Sequence, residues 1–185
     1  MDRADQIRAL LPEITEIADE TLADTVVDIW LEFWDTSAWD RLEDVPKNPK
    51  SLDDRPLLAH VRSVTRQAMC TGRIVREQHG IAVDMDLLTA GALLHDVSKL
   101  IEYAPEEGTP GVATRYGTLI QHGVGTASSV LNRDLSLDLA HLILSHTTAS
   151  ALPPRTIEAV ILHYVDYADS DILLMAEGQP LLLHR

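Results

Sequence analysis

The feature that most constrains the fold is the spacing of apolar side chains, which recur every three or four residues along almost the whole chain. This spacing places them on one face of an α-helix, and no segment shows the two-residue alternation of a half-buried strand. Helices are therefore predicted over 3–36 with an interruption near Pro12, and over 57–79, 85–102, 117–132, 135–147 and 155–177. The predicted fold class is all-α, a helical bundle with an added N-terminal helical segment.

Proline, glycine and capping residues divide the chain into two parts. Residues 40–56 hold three prolines and many charges and are predicted to form a loop. Gly80 is expected to end one helix, Asp84 to cap the next, and Pro154 to open the last. We therefore expect an N-terminal helical extension and loop over 1–55 and a larger helical domain over 56–185, together forming one compact unit.

The charge of the chain excludes several classes of partner. Its 185 residues carry a formal net charge of −14, with 18 Asp and 11 Glu against 12 Arg and 3 Lys. Such a surface repels a polyanion, so a nucleic acid is not expected as the main partner. An Asp-rich, Lys-poor composition is also typical of salt-adapted proteins; an ordinary acidic protein is the alternative, and a melting curve from low to molar KCl distinguishes them.

Other features of the sequence favour a cytoplasmic protein. No apolar run approaches the roughly 20 residues that span a bilayer, so no membrane association is expected. The acidic N-terminus does not resemble a signal peptide. Cys70 is the only cysteine, which suits a reducing compartment, and it is predicted to be buried.

All the tryptophans and the only phenylalanine lie within ten residues of the N-terminal segment, at Trp30, Phe33, Trp34 and Trp39. Core packing is the expected role of this cluster. The alternatives are a homodimer interface or a lid over a pocket, because tryptophan is enriched at interfaces.

Polar residues interrupt the apolar pattern at regular intervals after residue 56. Successive candidates lie about one helix and one turn apart, which is the arrangement expected when several helices each project one side chain into a common centre. These candidate metal ligands are His60, His95, Asp96, His122, His146 and Asp166. The other histidines are His79, His141, His163 and His184, of which His163 is a candidate to support Asp166.

Imidazole and carboxylate ligands without thiolates suit divalent Mn, Fe, Co, Ni or Zn, with Mg as a further candidate. Asp96 has two carboxylate oxygens, so it can bridge two ions, whereas His95 can bind only one. Lys99 follows Asp96 by three residues and shares a side of the helix with it. It is therefore expected to place a positive charge beside the metal ions, where an anionic substrate would bind.

Together these segments resemble the HD superfamily of metal-dependent phosphohydrolases. The similarity covers about residues 57–175 and includes "LLTAGALLHDVSKLIEY", "LIQHGVG", "HLILSHTT" and "LPPRTIEAVILHYVDYADSD". The last three are similar, in order, to segments of HD-domain exoribonucleases that carry an OB fold. The chain departs from the family pattern at Ser98, where a glycine is usual, and at Thr147, where the exoribonucleases have a second histidine.

The resemblance implies an HD-domain helical bundle in which His60, His95, Asp96 and Asp166 hold one ion. In the two-metal subgroup, His122 and His146 would hold a second ion, with Asp96 bridging the two. The implied activity is hydrolysis of a small phosphate ester or nucleotide by a metal-activated water, with Lys99 neutralising phosphoryl charge.

Residues near the predicted metal site are candidates to bind or enclose the substrate. Thr147 and Thr148, with Ser150, are candidates to hydrogen-bond the substrate, and the irregular loop 103–116 is a candidate lid. Two other functions use the same ligands. One is a di-iron HD-type oxygenase, and the other is a non-catalytic metal- or nucleotide-binding module that works as a homodimer.

Overall fold

A computed structural model describes residues 2–49, 55–147 and 150–182, and it confirms the all-α fold class. The α-helices of this part are Arg3–Leu10 (α1), Glu20–Thr36 (α2), Leu57–His79 (α3), Met85–Leu94 (α4), Lys99–Glu102 (α5), Arg115–Leu119 (α6), Val124–Leu131 (α7), Leu137–Ser145 (α8) and Ile157–Ala176 (α9). Short 3₁₀-helices cover Pro12–Glu16 and Leu42–Asp44. Among the helices described, none has both the length and the apolar character needed to cross a bilayer.

Local signals at the helix ends were mostly correct. Gly80 ends α3 in the left-handed conformation, with φ of 64°, and the Asp84 side chain accepts a hydrogen bond from the Leu87 backbone N–H at the start of α4. The prediction for Pro154 was wrong. The last helix begins at Ile157, and its cap is Thr156, because a hydroxyl can accept a hydrogen bond that a proline ring cannot.

Two regions differ from their predicted secondary structure. The predicted helix 117–132 is instead α6 and α7, separated at Gly123, whose φ of 82° no continuous helix allows. The predicted lid 103–116 contains two short antiparallel strands, Tyr103–Ala104 (β1) and Val112–Ala113 (β2). A two-residue strand is too short to produce a detectable alternation, so the prediction of no strands was wrong here.

The predicted helix 85–102 tightens in its middle, at the His-Asp pair. After α4 ends, residues 95–98 form a 3₁₀-type turn, in which backbone hydrogen bonds join residues three apart. One of them runs from the Lys99 N–H to the Asp96 carbonyl at 3.0 Å. Such a turn has about 3.0 residues per revolution instead of 3.6. The side chains of Asp96 and Lys99, three residues apart, are therefore more nearly aligned on one side of the chain than in a regular helix.

Two apolar cores hold the helices that carry the polar residues. One core surrounds the fully buried Trp30 and joins the N-terminal helices to α4. The other joins α3, α4, α8 and α9 through Val64, Leu88, Leu142 and Leu162. The predicted domain boundary between residues 55 and 56 stays a prediction.

The aromatic cluster forms core, as expected, and not a lid or an exposed interface. Trp30, Phe33, Trp34 and Trp39 are all buried. The indole N–H of Trp30 donates to the Leu93 carbonyl at 3.0 Å, which ties α2 to the last turn of α4 before the His-Asp pair. By contrast, Cys70 is exposed on α3, so the prediction that it is buried was wrong.

Truncation of Trp30 should therefore destabilise the protein strongly. We expect Trp30→Ala to lower the free energy of unfolding by about 3–5 kcal/mol, through lost apolar contact and the cavity left behind. Chemical denaturation measures this change. Leu137→Ala is the control, because Leu137 is 76% exposed and should change stability by less than about 0.5 kcal/mol. Equal effects of the two substitutions would contradict the packing role of Trp30.

Candidate metal centre

The structure brings all six predicted ligands into one largely buried cluster, to which five different places in the fold contribute. His60 lies in the first turn of α3, His95 and Asp96 in the turn after α4, and Asp166 in the middle of α9. His146 directly follows α8. His122 lies in the loop between α6 and α7, not in a helix as predicted, because the chain breaks at Gly123.

Each histidine of the cluster has its Nδ1 atom held by an acceptor. His95 Nδ1 donates to the Ala92 carbonyl at 2.7 Å, and His146 Nδ1 donates to the Ile143 carbonyl three residues earlier. A carbonyl oxygen can only accept a hydrogen bond, so the proton of each ring lies on Nδ1. The neutral ring then presents the lone pair of Nε2 to the centre of the cluster.

Carboxylates hold the other two rings in the same way. His60 Nδ1 donates to Asp169 at 2.8 Å, and His122 Nδ1 lies 2.9 Å from both oxygens of Glu102. Carboxylate partners of this kind fix the orientation of a ligating histidine and raise its basicity. The rings contact one another in the order His60, His95, His146, His122, with centroid distances of 5.3, 5.1 and 5.2 Å.

The ligand atoms form two groups, and Asp96 lies between them. The groups that could each hold a metal ion are His60, His95 and Asp166, and Asp96, His122 and His146. Asp96 Oδ2 lies 3.3 Å from His60 Nε2 and 3.5 Å from His95 Nε2. Its other oxygen, Oδ1, lies 2.8 Å from His122 Nε2 and 3.8 Å from His146 Nε2. One oxygen of Asp96 therefore faces each group.

The electrostatics of the cluster favour bound positive charge. Burial by itself lowers the pKa of His60, but hydrogen bonds to Asp166, Asp169 and Asp96 outweigh it and raise the pKa to about 9. For His122, hydrogen bonds to Asp96 and Glu102 likewise outweigh burial and raise the pKa to about 9. Protons and metal cations compete for these nitrogens, since a histidine binds a metal only when that nitrogen is deprotonated.

The pKa values of His146 and Asp96 are both lowered, in contrast to those of His60 and His122. Burial and the neighbouring His95 and His122 rings lower the pKa of His146 to about 3, so this imidazole is neutral and its Nε2 can act as a ligand. Burial opposes ionisation of Asp96, but Lys99 and the surrounding histidines hold its pKa well below its ordinary value. Neutral imidazole nitrogens and ionised carboxylate oxygens are the ligands that divalent transition metals bind, so these donors fit such ions.

Lys99 lies beside the cluster as the sequence predicted. Its Nζ donates to Asp96 Oδ2 at 2.7 Å, and the side chain is 13% exposed. Burial alone lowers the pKa of Lys99, but the Asp96 carboxylate outweighs this and raises it, so the group stays charged. Lys99 therefore contributes a fixed positive charge at the edge of the site.

A cavity of about 210 Å³ opens onto these residues. Its walls are formed by Lys99 and by every predicted ligand except His95. They also include the predicted Thr147 and five residues that the sequence analysis missed: Lys47, Asn48, Ser170, Leu174 and Leu182. Thr148 lies outside the described residues. The loop 103–116 contributes no residue to these walls, and Trp39 holds it by donating to the Tyr103 carbonyl.

The carboxylates that hold the rings, Asp169 and Glu102, were also missed. Asp169 is buried, and it also accepts hydrogen bonds from Ser63 and Arg55. Glu102 packs against Gly117, where a side chain would come within 2.2 Å of the Glu102 backbone. The only local sequence signal for a role of Glu102 was its position three residues after Lys99. The candidate support residue His163 instead donates from Nδ1 to the Ser145 carbonyl.

Neutralising Asp169 should weaken metal binding without unfolding the protein. We expect Asp169→Asn to lower the metal affinity by about 10- to 100-fold, because His60 loses the carboxylate that orients it and raises its basicity. Competition against a coloured chelator measures the affinity. The control is Asp171→Asn, two residues further along, whose carboxylate accepts from the Leu182 backbone N–H instead. An unchanged affinity in Asp169→Asn would contradict the supporting role of Asp169.

The sequence of this chain is similar to known proteins. The chain is 34% identical over 118 residues to a dihydroneopterin 2′,3′-cyclic phosphate phosphodiesterase of Methanocaldococcus jannaschii, which covers 63% of this chain and 47% of the relative. The chain thus spans about half the length of this curated relative. No solved structure matches it. A family model described as HD domain matches residues 57–171, more than half of the sequence. The chain therefore belongs to the HD domain family.

Proposed function

We propose that this protein is a metal-dependent phosphohydrolase that cleaves a small phosphate ester or nucleotide and binds two divalent transition-metal ions. The observation that carries the proposal is the position of Asp96. Its Oδ2 faces His60 and His95, and its Oδ1 faces His122 and His146. A carboxylate placed in this way can bridge two ions, which is the arrangement of many two-metal phosphoester hydrolases.

The proposed duties of the ligands follow from the two groups. His60, His95 and Asp166 would hold one ion, His122 and His146 the other, and Asp96 both. Bound ions of this kind supply an activated water and neutralise charge on the phosphoryl oxygens. The protein itself holds each Nε2 toward the centre through its Nδ1 partner, so little reorganisation is needed when the reaction occurs.

Lys99 is proposed to contact the substrate phosphoryl group. Its ammonium lies next to Asp96 and lines the cavity without belonging to either ligand group. A fixed cation at this position stabilises negative charge that develops on phosphoryl oxygens in the transition state.

The cavity is lined by lysines and by leucines, so it suits a small substrate that has both an anionic and an apolar part. Lys47 and Lys99 are two of only three lysines in the chain, and both line this cavity. Lys47 is buried and donates to the Ser170 hydroxyl at 2.7 Å, while Leu174 and Leu182 supply apolar surface. A cyclic phosphate such as the one named for the Methanocaldococcus jannaschii relative falls within this class.

A metal-reconstituted activity screen tests the proposal. The protein would be purified without oxygen, loaded separately with Mn, Fe, Co, Ni, Zn or Mg, and assayed against 2′,3′-cyclic phosphates, phosphomonoesters and nucleotides. We expect metal-dependent cleavage of a phosphoester that is lost in Asp96→Ala. Oxygen uptake without phosphoester cleavage would contradict the proposal in favour of a di-iron oxygenase. Metal binding with neither reaction would contradict it in favour of a binding module.

A further inference from the structure

The solvent-facing side of α9 is apolar along its whole length. Every residue of Ile157–Ala176 is described, and the exposed positions before the terminal alanine form a stripe, here called the α9 stripe: Ile157, Val160, Tyr164, Ala168, Ile172 and Met175. The five large side chains are 40–65% exposed. A solvent-facing helix normally carries charged residues on its outer side. In a chain with a net charge of −14, a helix face whose exposed positions are all apolar, with only the partly buried Asp171 within its arc, indicates that something covers it.

The spacing of the α9 stripe is symmetric. Its members are separated by 3, 4, 4, 4 and 3 residues, so the stripe has the same pattern in both directions along the helix. At 3.6 residues per turn, all six positions fall within an arc of about 120°. Asp166, at the midpoint of the stripe in sequence, lies on the opposite side of α9 and faces the metal centre.

We infer that two copies of this chain pair through the α9 stripe, with their helices antiparallel about a two-fold axis near residue 166. This arrangement places Ile157 opposite Met175 and Val160 opposite Ile172. At the centre, it places the large Tyr164 of one copy over the small Ala168 of the other. A two-fold interface must be complementary to itself, and the symmetric spacing meets this requirement, whereas a different partner would not need it.

The charges near the α9 stripe are compatible with this pairing. Asp171 lies within the arc of the stripe, between the angular positions of Val160 and Tyr164, and its carboxylate accepts a hydrogen bond from the Leu182 backbone N–H at 2.7 Å. In the antiparallel pair the two copies of Asp171 lie ten residues apart, about 15 Å along the axis at 1.5 Å per residue. This separation exceeds the Debye length of about 8 Å at physiological salt, so their repulsion is weak.

The area of the α9 stripe is sufficient for a specific dimer. If the exposed surface of the stripe residues were covered completely, each copy would contribute up to about 600 Å². The pair would then bury up to about 1,200 Å², the lower end of the range for stable interfaces. Because aromatic side chains dominate such contacts, Tyr164 is expected to contribute the most.

Sedimentation velocity on the full chain, from 1 to 100 µM in moderate salt, tests the inference. We expect a mass that approaches twice the 20.4 kDa of one chain. Ile172→Asp places a carboxylate opposite Val160 twice per dimer and should raise the dissociation constant at least 100-fold. Met175→Asp, at the end of the stripe, provides a second variant should the first not fold. The control is Leu137→Asp, which introduces the same charge at an exposed leucine of α8 and should leave the dimer intact.

A residue swap tests the predicted pairing of Tyr164 with Ala168. Tyr164→Ala alone and Ala168→Tyr alone should each weaken the dimer at least 10-fold, because one loses the aromatic contact and the other places two tyrosines together. The double variant restores the large-against-small contact and should return the dissociation constant to within about threefold of the original. Circular dichroism and metal content check that each variant is folded.

Two results would overturn the inference. The first is a monomer at every concentration, in which case the stripe faces another protein or a further segment of a longer chain. The second is a dimer that survives both Ile172→Asp and Met175→Asp, because the copies would then pair through another surface.

Discussion

Replacing Asp96 with alanine is expected to remove both metal ions and to abolish hydrolysis. Asp96 is the only proposed ligand with one oxygen facing each group, Oδ2 toward His60 and Oδ1 toward His122. Its loss takes a ligand from both ions at once. The metal content measured by elemental analysis should fall from two ions per chain to near zero. Turnover should fall by roughly 10³-fold or more, about 4 kcal/mol of transition-state stabilisation.

A comparison with His146→Ala separates the bridging role from a general disturbance of the site. His146 belongs only to the second group, so this variant should keep the first ion and lose the second. Asp28→Ala, which removes an exposed carboxylate from α2, should keep both ions and full activity. Two ions retained in a folded Asp96→Ala protein would refute the bridging role. Loss of both ions in His146→Ala would contradict the assignment of His146 to the second ion alone.

Replacing Lys99 with alanine is expected to have the second largest effect, and it should act on the rate alone. Lys99 belongs to neither ligand group, so Lys99→Ala should keep its full metal content. Turnover should nevertheless fall by roughly 10²-fold or more, about 2.7 kcal/mol, the scale for removing one group that stabilises transition-state charge. Lys99→Arg should recover only part of this loss, because a planar guanidinium does not replace a compact ammonium.

The ion pair between Lys99 and Asp96 makes metal analysis an essential part of this experiment. The Nζ atom lies 2.7 Å from Asp96 Oδ2, so a loss of metal in Lys99→Ala would mean that the lysine acts by holding the bridging carboxylate. Arg73→Ala is the control, since Arg73 is an exposed cation of α3 and should leave both metal content and turnover unchanged. Normal turnover in fully metallated Lys99→Ala would refute the proposed contact with phosphate.

The sequence alone determined the helical class and the identity of the six clustered residues, because both depend on short-range patterns. A three- and four-residue spacing of apolar side chains favours a helix from local sequence alone, and caps such as Asp84 and Gly80 act within one turn. An imidazole or carboxylate in an otherwise apolar helix is expensive to bury. Its recurrence at intervals of one helix therefore predicted that His60, His95, Asp96, His122, His146 and Asp166 would meet.

Only the tertiary structure decided how those residues are held and what surrounds them. His60 and Asp169 are 109 residues apart in sequence, and no local pattern indicates that they pair. The pairing exists because the apolar core between α3 and α9 holds the two helices in one register. Likewise, Lys47 reaches the cavity from a loop that the apolar pattern did not constrain, and His122 faces Asp96 because the chain turns at Gly123. Contacts of this kind depend on how whole helices pack, and packing is a property of the folded chain as a whole.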